Sequence, residues 1–258
     1  MPESKPTLPW EGMLPGAAWS HRKRTLRSLF EGIAPSYDRL NHWLSLGIDQ
    51  CWRARAAREA IARGQPAVVL DLASGTGDQA AAIVKRSRRA RVLRVDLSAM
   101  LLRRAAAKLP DSSLAPPVVA EMERLPVRDG TCDAVTMAYA LRHVESLDRL
   151  MEACARCLRP GGRAVFVDMA LPQRGLWARL FRFYFRQCLP RLASLFGGPR
   201  EAYELMVRSV ESFPGWERLE EAARRAGFQS TRIVSLTGGA ARLFVARSLR
   251  LARPGPFP

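Results

Sequence analysis

At 258 residues with 48% apolar side chains, the chain is long enough to bury a sizeable core in one large domain, which excludes a wholly disordered polymer. The 41 Lys and Arg against 24 Asp and Glu leave a net charge of +17, favouring anionic partners such as nucleic acid or a membrane surface. No run reaches the roughly 18 uninterrupted apolar residues of a spanning helix, and the odd set of five cysteines argues for a reduced, cytoplasmic setting.

Only Lys5, Lys23, Lys85 and Lys108 are lysines, so the positive charge is an arginine preference and a weaker guide to partners. Residues 1–24 are Pro-rich and read as a tail, as do 251–258, leaving a single domain over 25–250. Residues 25–64 read as a helical cap: Leu40, Trp43, Leu44 and Leu46 suit short helices over a core, with Gly47 as a stop. His21 and His42 read as peripheral.

The apolar run 67–70 precedes Asp71-Leu72-Ala73-Ser74-Gly75-Thr76-Gly77-Asp78 and an Ala-rich segment, which reads as strand, tight loop and helix. The glycines allow close backbone approach to a ligand at a helix N-terminus. The loop also satisfies the dinucleotide pattern G-x-G-x-x-G/A, but a carboxylate at Asp71 repels a pyrophosphate and welcomes a cation. S-adenosylmethionine, with an ammonium, a sulfonium and no phosphate, fits better.

Residues 91–96 read as a second strand ending in Asp96, about 20 residues past the glycines, where a carboxylate accepts the ribose hydroxyls of an adenosine ligand. Its alternative role is to cap the helix that starts near Ser98. Residues 99–108 read as that helix and 116–120 as a third strand, after which Glu121 and Met122 stand where adenine would lie. Residues 133–138 form a fourth strand running into Leu141-Arg142-His143-Val144. A helix over 147–158 carries Cys154 and Cys157, read as core packing because nothing completes a zinc site. A fifth strand follows over 162–167. Alternating strands and helices predict an α/β, doubly wound, mainly parallel sheet with every motif at a strand's carboxyl end.

Residues 170–214 read as a helical lid insertion. On a helix over 175–186, Leu176, Trp177, Leu180, Phe181, Tyr184 and Cys188 share one broad face and Arg179, Arg182 and Arg186 the other. That basic amphipathic pattern suits either an interfacial helix on an anionic membrane or an ordinary lid with its arginines in water. A helix over 217–226, a strand over 231–235, the turn Thr237-Gly238-Gly239 and a strand over 243–247 close the domain.

The chain resembles class I S-adenosylmethionine-dependent methyltransferases and, more narrowly, the ubiquinone/menaquinone biosynthesis C-methyltransferase family. The resemblance rests on Ala34-Pro35-Ser36-Tyr37-Asp38 with Asn41, Leu46-Gly47-Ile48 with Trp52-Arg53, residues 71–78, Leu141-Arg142-His143-Val144, residues 158–162 and Leu236-Thr237-Gly238-Gly239. It implies a Rossmann-like seven-stranded sheet and S-adenosylmethionine held by Asp71, Gly75, Thr76, Gly77, Asp96, Glu121 and Met122. It also implies C-methylation of a prenylated quinol in menaquinone or ubiquinone biosynthesis. Glu121-Met122 departs from a usual Asn-Ala, Asp168-Met169 from Glu-Phe, and Leu205 from a second tyrosine, which keeps another aromatic or isoprenoid acceptor open.

Ring C-methylation needs a phenolate, hence a base or cation beside the ortho hydroxyl. Arg142 and His143 are the leading candidates, Tyr37 and Asp38 the second pair; Arg142 pairing with a carboxylate to hold its loop is the alternative. No metal is expected. The partners expected are a lipophilic quinol and a peripheral contact on the inner face of an anionic cytoplasmic membrane, with a homodimer or a quinone-biosynthesis assembly open. Nucleic acid is not expected: the fourth strand lacks the Asn-Pro-Pro-aromatic signature of base-amine methylation.

Overall fold

The computed structural model describes residues 24–25, 27–28, 40, 42–62, 64–65, 67–109 and 115–249. Tyr37 and Asp38, the motif around them, and nearly all of the two expected tails lie outside the described residues.

Helix α1 (Ile48–Ala60) leads into β1 (Ala67–Leu72), whose AVVLDL run is buried on both faces, as a central parallel strand requires. The chain then alternates through α2 (Asp78–Arg86), β2 (Ala90–Asp96), α3 (Ala99–Ala106), β3 (Val118–Val119), β4 (Cys132–Ala138), α4 (Leu147–Cys157) and β5 (Leu158–Met169). After the lid come α8 (Trp216–Arg225), β6 (Phe228–Leu236) and β7 (Ala241–Ser248). The seven strands lie in the order β3-β2-β1-β4-β5-β7-β6, all parallel except β7, which is antiparallel to both neighbours. Strand order reverses between β1 and β4, where an open α/β sheet leaves a crevice for a ligand. The doubly wound, mainly parallel sheet is as the sequence predicted.

Alternation along each strand sends side chains to two cores. Leu70, Leu72, Met137, Phe166 and Phe244 meet α4 and α8 on one face. Val69, Val92, Ala134, Val165 and Val245 meet α1 and α2 on the other. Phe166 and Phe244 stack across β5 and β7 at 5.9 Å, and each buried aromatic of this kind stabilises by about 1.5–3 kcal/mol. Cys154 and Cys157 are buried in the first core, where burial pushes their thiols upward in pKa.

The lid is α5 (Gly175–Phe183), a π-helical turn over Tyr184–Cys188, α6 (Leu189–Leu195) and α7 (Arg200–Glu211). The expected continuous helix over 175–186 is therefore interrupted. Pro190 explains it: without an N–H, and with its ring crowding the carbonyl one turn earlier, it forces the preceding turn to widen. A third core under the lid gathers Leu40, Leu44, Phe185, Leu189, Tyr203 and Val207. The expected apolar face of α5 is only half anchored. Phe181 stacks on Phe185 and Tyr184 donates to the Leu44 carbonyl, while Leu176 and Leu180 are 70% and 55% exposed; Phe183, not among the residues expected on that face, is 62% exposed.

Candidate active site

A cavity of about 760 Å³ opens over the carboxyl ends of β1, β2 and β4, roofed by the lid and by residues 43–53. Its floor is the loop after β1. There the parallel register sets Asp71 beside Thr136 of β4 and Arg94 of β2. Asp71 is fully buried, and its carboxylate accepts from Thr136 Oγ1 at 2.7 Å and Ser74 Oγ at 2.8 Å. Burial raises its pKa from 3.8 to about 6, against the lowering effect of the two hydroxyls and of Arg53.

The loop is held in shape from the neighbouring strand. Asp96 accepts from Gly75 N at 2.8 Å and from Ser98 N at 2.9 Å. The cap of α3 is Ser98, whose Oγ accepts from Leu101 N, so Asp96 fixes the junction instead of capping it. Gly75, at φ +52°, would meet nothing within 4 Å if it carried a Cβ, and it lines the cavity. Gly77, at φ +88°, lies off the cavity wall; a Cβ there would sit 2.8 Å from Ala105 Cβ. It packs α3 against the loop.

Thr76, Glu121 and Met122 also line the cavity, as do Asp71 and Asp96, so six of the seven residues expected at the donor site line the same cavity. Four non-glycine residues with positive φ, Leu46, Ala73, Tyr139 and Thr237, line it too. Such backbone strain collects at ligand sites.

At the end of β4, Leu141–His143 forms a 3-10 turn that places Arg142 and His143 on the cavity wall. Arg142 Nη1 lies 2.5 Å from Asp168 Oδ1 and Arg142 Nε donates to Ser209 Oγ at 3.0 Å. Asp168 Oδ2 accepts from Leu141 N and Oδ1 from Met169 N. Both side chains of the ion pair are only 4% exposed. The carboxylate partner considered for Arg142 thus exists, and the same arginine also faces the cavity.

Residues 43–53 contribute a charged cluster that sequence reasoning passed over. Arg53 lies 4.6 Å above the Tyr139 ring and 3.9 Å from Asp49, which also takes His42 Nδ1 at 2.7 Å. His42 Nε2 is 3.6 Å from Asp78, which Lys108 pairs at 2.9 Å. Burial alone would raise Asp78, but Arg53 and Lys108 outweigh it and hold the carboxyl below its usual range. His42 does not itself line the cavity; it joins the segment before α1 to the start of α2. Trp52 Nε1 donates to Thr237 Oγ1 at 2.9 Å, uniting two motifs 185 positions apart. Trp177 then rests on Gly238, where a Cβ would come within 2.8 Å of its ring. Among the described residues no group of three His, Cys, Asp or Glu side chains is placed to hold a metal.

Behind the cavity wall, where Asp168 and Ser209 hold Arg142, Asp168 was visible in the sequence as a strand-end acid, by the same reasoning that singled out Asp96. Ser209 and Gln79 carried no signal.

This sheet order, with a glycine loop at its switch point and a cavity over the strand ends, is that of the Rossmann-like class I methyltransferases. The fold is shared with a SAM-dependent methyltransferase from Thermotoga maritima, described as a possible histamine N-methyltransferase, at 15% identity and a TM-score of 0.60. That likeness covers 86% of this chain and 98% of the other. The model of the ubiE/COQ5 methyltransferase family matches residues 19–247. The chain is 39% identical over 219 residues to the ubiquinone/menaquinone biosynthesis C-methyltransferase UbiE of Syntrophotalea carbinolica, covering 84% of this chain and 92% of that protein. It is 38% identical over 223 residues to the demethylmenaquinone methyltransferase of Deinococcus radiodurans, covering 86% and 92%. The chain belongs to the ubiE/COQ5 methyltransferase family, and is a methyltransferase that takes its methyl group from S-adenosylmethionine. The cavity fits that donor: Asp71 and Asp96 suit a cationic adenosyl ligand, and Gly75 leaves the loop backbone open.

Proposed function

We propose that this enzyme methylates a ring carbon of a prenylated quinol in menaquinone or ubiquinone biosynthesis. The observation that carries the reading is one cavity joining an acid-lined glycine loop to the buried Arg142–Asp168 pair and opening through an apolar mouth. Two relatives named for quinone-pathway methylation, alike over most of both chains, support it.

S-adenosylmethionine supplies an electrophilic methyl group on a sulfonium. Asp96 would take its ribose hydroxyls, Glu121 and Met122 would flank the adenine, and Gly75 and Thr76 would hold the methionine part, with Gly77 shaping the loop. Asp71 lends negative charge to the cationic end. On the acceptor side, His143, on the cavity wall beside Arg142, takes the proton from the ring hydroxyl as general base. Arg142, its fork fixed by Asp168 and Ser209, stabilises the phenolate charge that drives carbon attack. Rigid placement of ring carbon against methyl supplies much of the remaining rate. Tyr37 and Asp38 stay second candidates for the acceptor end.

The mouth favours a substrate with a lipid tail. Trp43, Leu46, Trp177, Leu180 and Phe196 line the cavity yet are 45–87% exposed, and Trp43 meets Phe196 at 6.1 Å. With exposed arginines on the same lid, this rim suits peripheral contact with the inner face of an anionic cytoplasmic membrane, from which the tail need not leave the bilayer. Among the described residues no helix is long and apolar enough to cross a membrane. Deleting the gene and profiling quinones by mass spectrometry tests the proposal. A quinone precursor lacking one methyl should accumulate; unchanged quinones would contradict it.

A further inference from the structure

We propose that the Gln79 carboxamide holds the amino-acid head of the methyl donor, Oε1 accepting from its ammonium and Nε2 donating to its carboxylate. The inference rests on the donor placement above. Gln79 is the second residue of α2, 2% exposed, and it lines the cavity. Neither its amide oxygen nor its amide nitrogen has a hydrogen-bond partner in the protein. A buried primary amide with both ends unmatched is costly, and native structures rarely leave one without a reason.

Packing offers no reason. Gln79 lies one helical turn before Ile83, on the buried face that also carries Ala80 and Val84, where an apolar side chain would be the stable choice. The ligand offers one. With ribose at Asp96 and adenine at Glu121 and Met122, the glycine loop and the first turn of α2 are left for the methionine end. That end is a zwitterion. The nearby charged groups, Asp71, Asp78 and Arg53, each suit only one of its two charges, whereas a primary amide donates and accepts at once without repelling either.

The test is calorimetric titration of wild type and Gln79→Leu with S-adenosylmethionine, S-adenosylhomocysteine and 5′-methylthioadenosine, which lacks the amino-acid head. We expect Gln79→Leu to weaken the first two by about tenfold or more and to leave the third within about twofold, because only the head loses its partner. Thermal unfolding of the ligand-free variant should show no loss of stability. Gln79→Met, of similar length, repeats the titration should the leucine variant fold poorly. Unchanged S-adenosylhomocysteine affinity overturns the assignment, as does an equal loss for methylthioadenosine, or a raised KM for the quinol with donor affinity intact. If wild type binds none of the three ligands, the donor placement itself falls; if wild type binds and the variant binds equally, only Gln79 is wrongly assigned.

Discussion

Arg142 and Asp168 form a buried ion pair that fastens the lid to the sheet: the carboxylate ends β5, the guanidinium stands on the turn after β4, and Arg142 Nε reaches Ser209 in α7. A buried pair is weak evidence for stability, but breaking one is expensive because the survivor is left uncompensated. Asp168→Asn should therefore destabilise the protein by about 3–5 kcal/mol, read by denaturant unfolding. Arg142→Lys keeps the charge but loses the planar fork, so turnover should fall by about a hundredfold while S-adenosylhomocysteine affinity holds. Near-normal turnover in Arg142→Lys would remove the phenolate role.

Asp71 makes stability and donor affinity respond oppositely to pH. Its folded pKa of about 6 lies above the ordinary 3.8, so between these values the folded protein binds the extra proton. Ligand-free stability should fall as pH rises from about 4 to about 6, by roughly 3 kcal/mol, and stay reduced above. Affinity for the cationic donor should rise over the same window as the carboxylate ionises. Asp71→Asn should flatten both profiles, measured by denaturant unfolding and calorimetry.

The two loop glycines should separate function from folding. Gly77→Ala puts a methyl 2.8 Å from Ala105 Cβ at φ +88°, and should cost about 1–3 kcal/mol of stability. Gly75→Ala meets nothing within 4 Å at φ +52° and should cost about 1–2 kcal/mol. Its larger effect should be on donor binding, because the methyl occupies the ligand's approach. Thermal unfolding paired with calorimetry separates the two.

The exposed side of α5 should govern access to substrate in a bilayer. Replacing Leu176 and Phe183, which lie outside the cavity lining, with serine removes apolar groups that pack on little in the protein, so the fold should hold. Partition onto vesicles containing anionic lipid should fall by about a hundredfold or more, since each such side chain is worth about 1.5–3 kcal/mol when buried. Added salt should weaken wild-type binding through the lid arginines. Turnover of a short-tailed, water-soluble quinol should be unaffected.

The strands and the glycine loop were legible because apolar runs punctuated by small residues leave few topologies, and the strand-end position of Asp71 and Asp96 follows from that alternation. The Arg142–Asp168 pair was not. It depends on β4 and β5 lying side by side, with Ala138 opposite Val167, a register that no local pattern prints. The cluster of His42, Asp49 and Asp78 depends likewise on how the segment before α1 settles over α2. On α5, periodicity separated apolar from basic faces, yet could not tell an apolar face packed on the body from one turned to solvent. Pro190 marked the break in that helix in plain view, four residues after the predicted end.

Methyl transfer in the cavity to a quinol ring carbon leaves a product that can be read directly. The direct measurement is incubation of the purified protein with S-adenosylmethionine carrying a deuterated methyl and a reduced demethylated prenylquinol in anionic vesicles, followed by mass spectrometry of the lipid. Wild type should form a quinone bearing one labelled methyl on the ring carbon, and Arg142→Ala and His143→Ala should lose it. Label on a ring oxygen, or no label in the quinone despite intact donor binding, would contradict transfer to carbon.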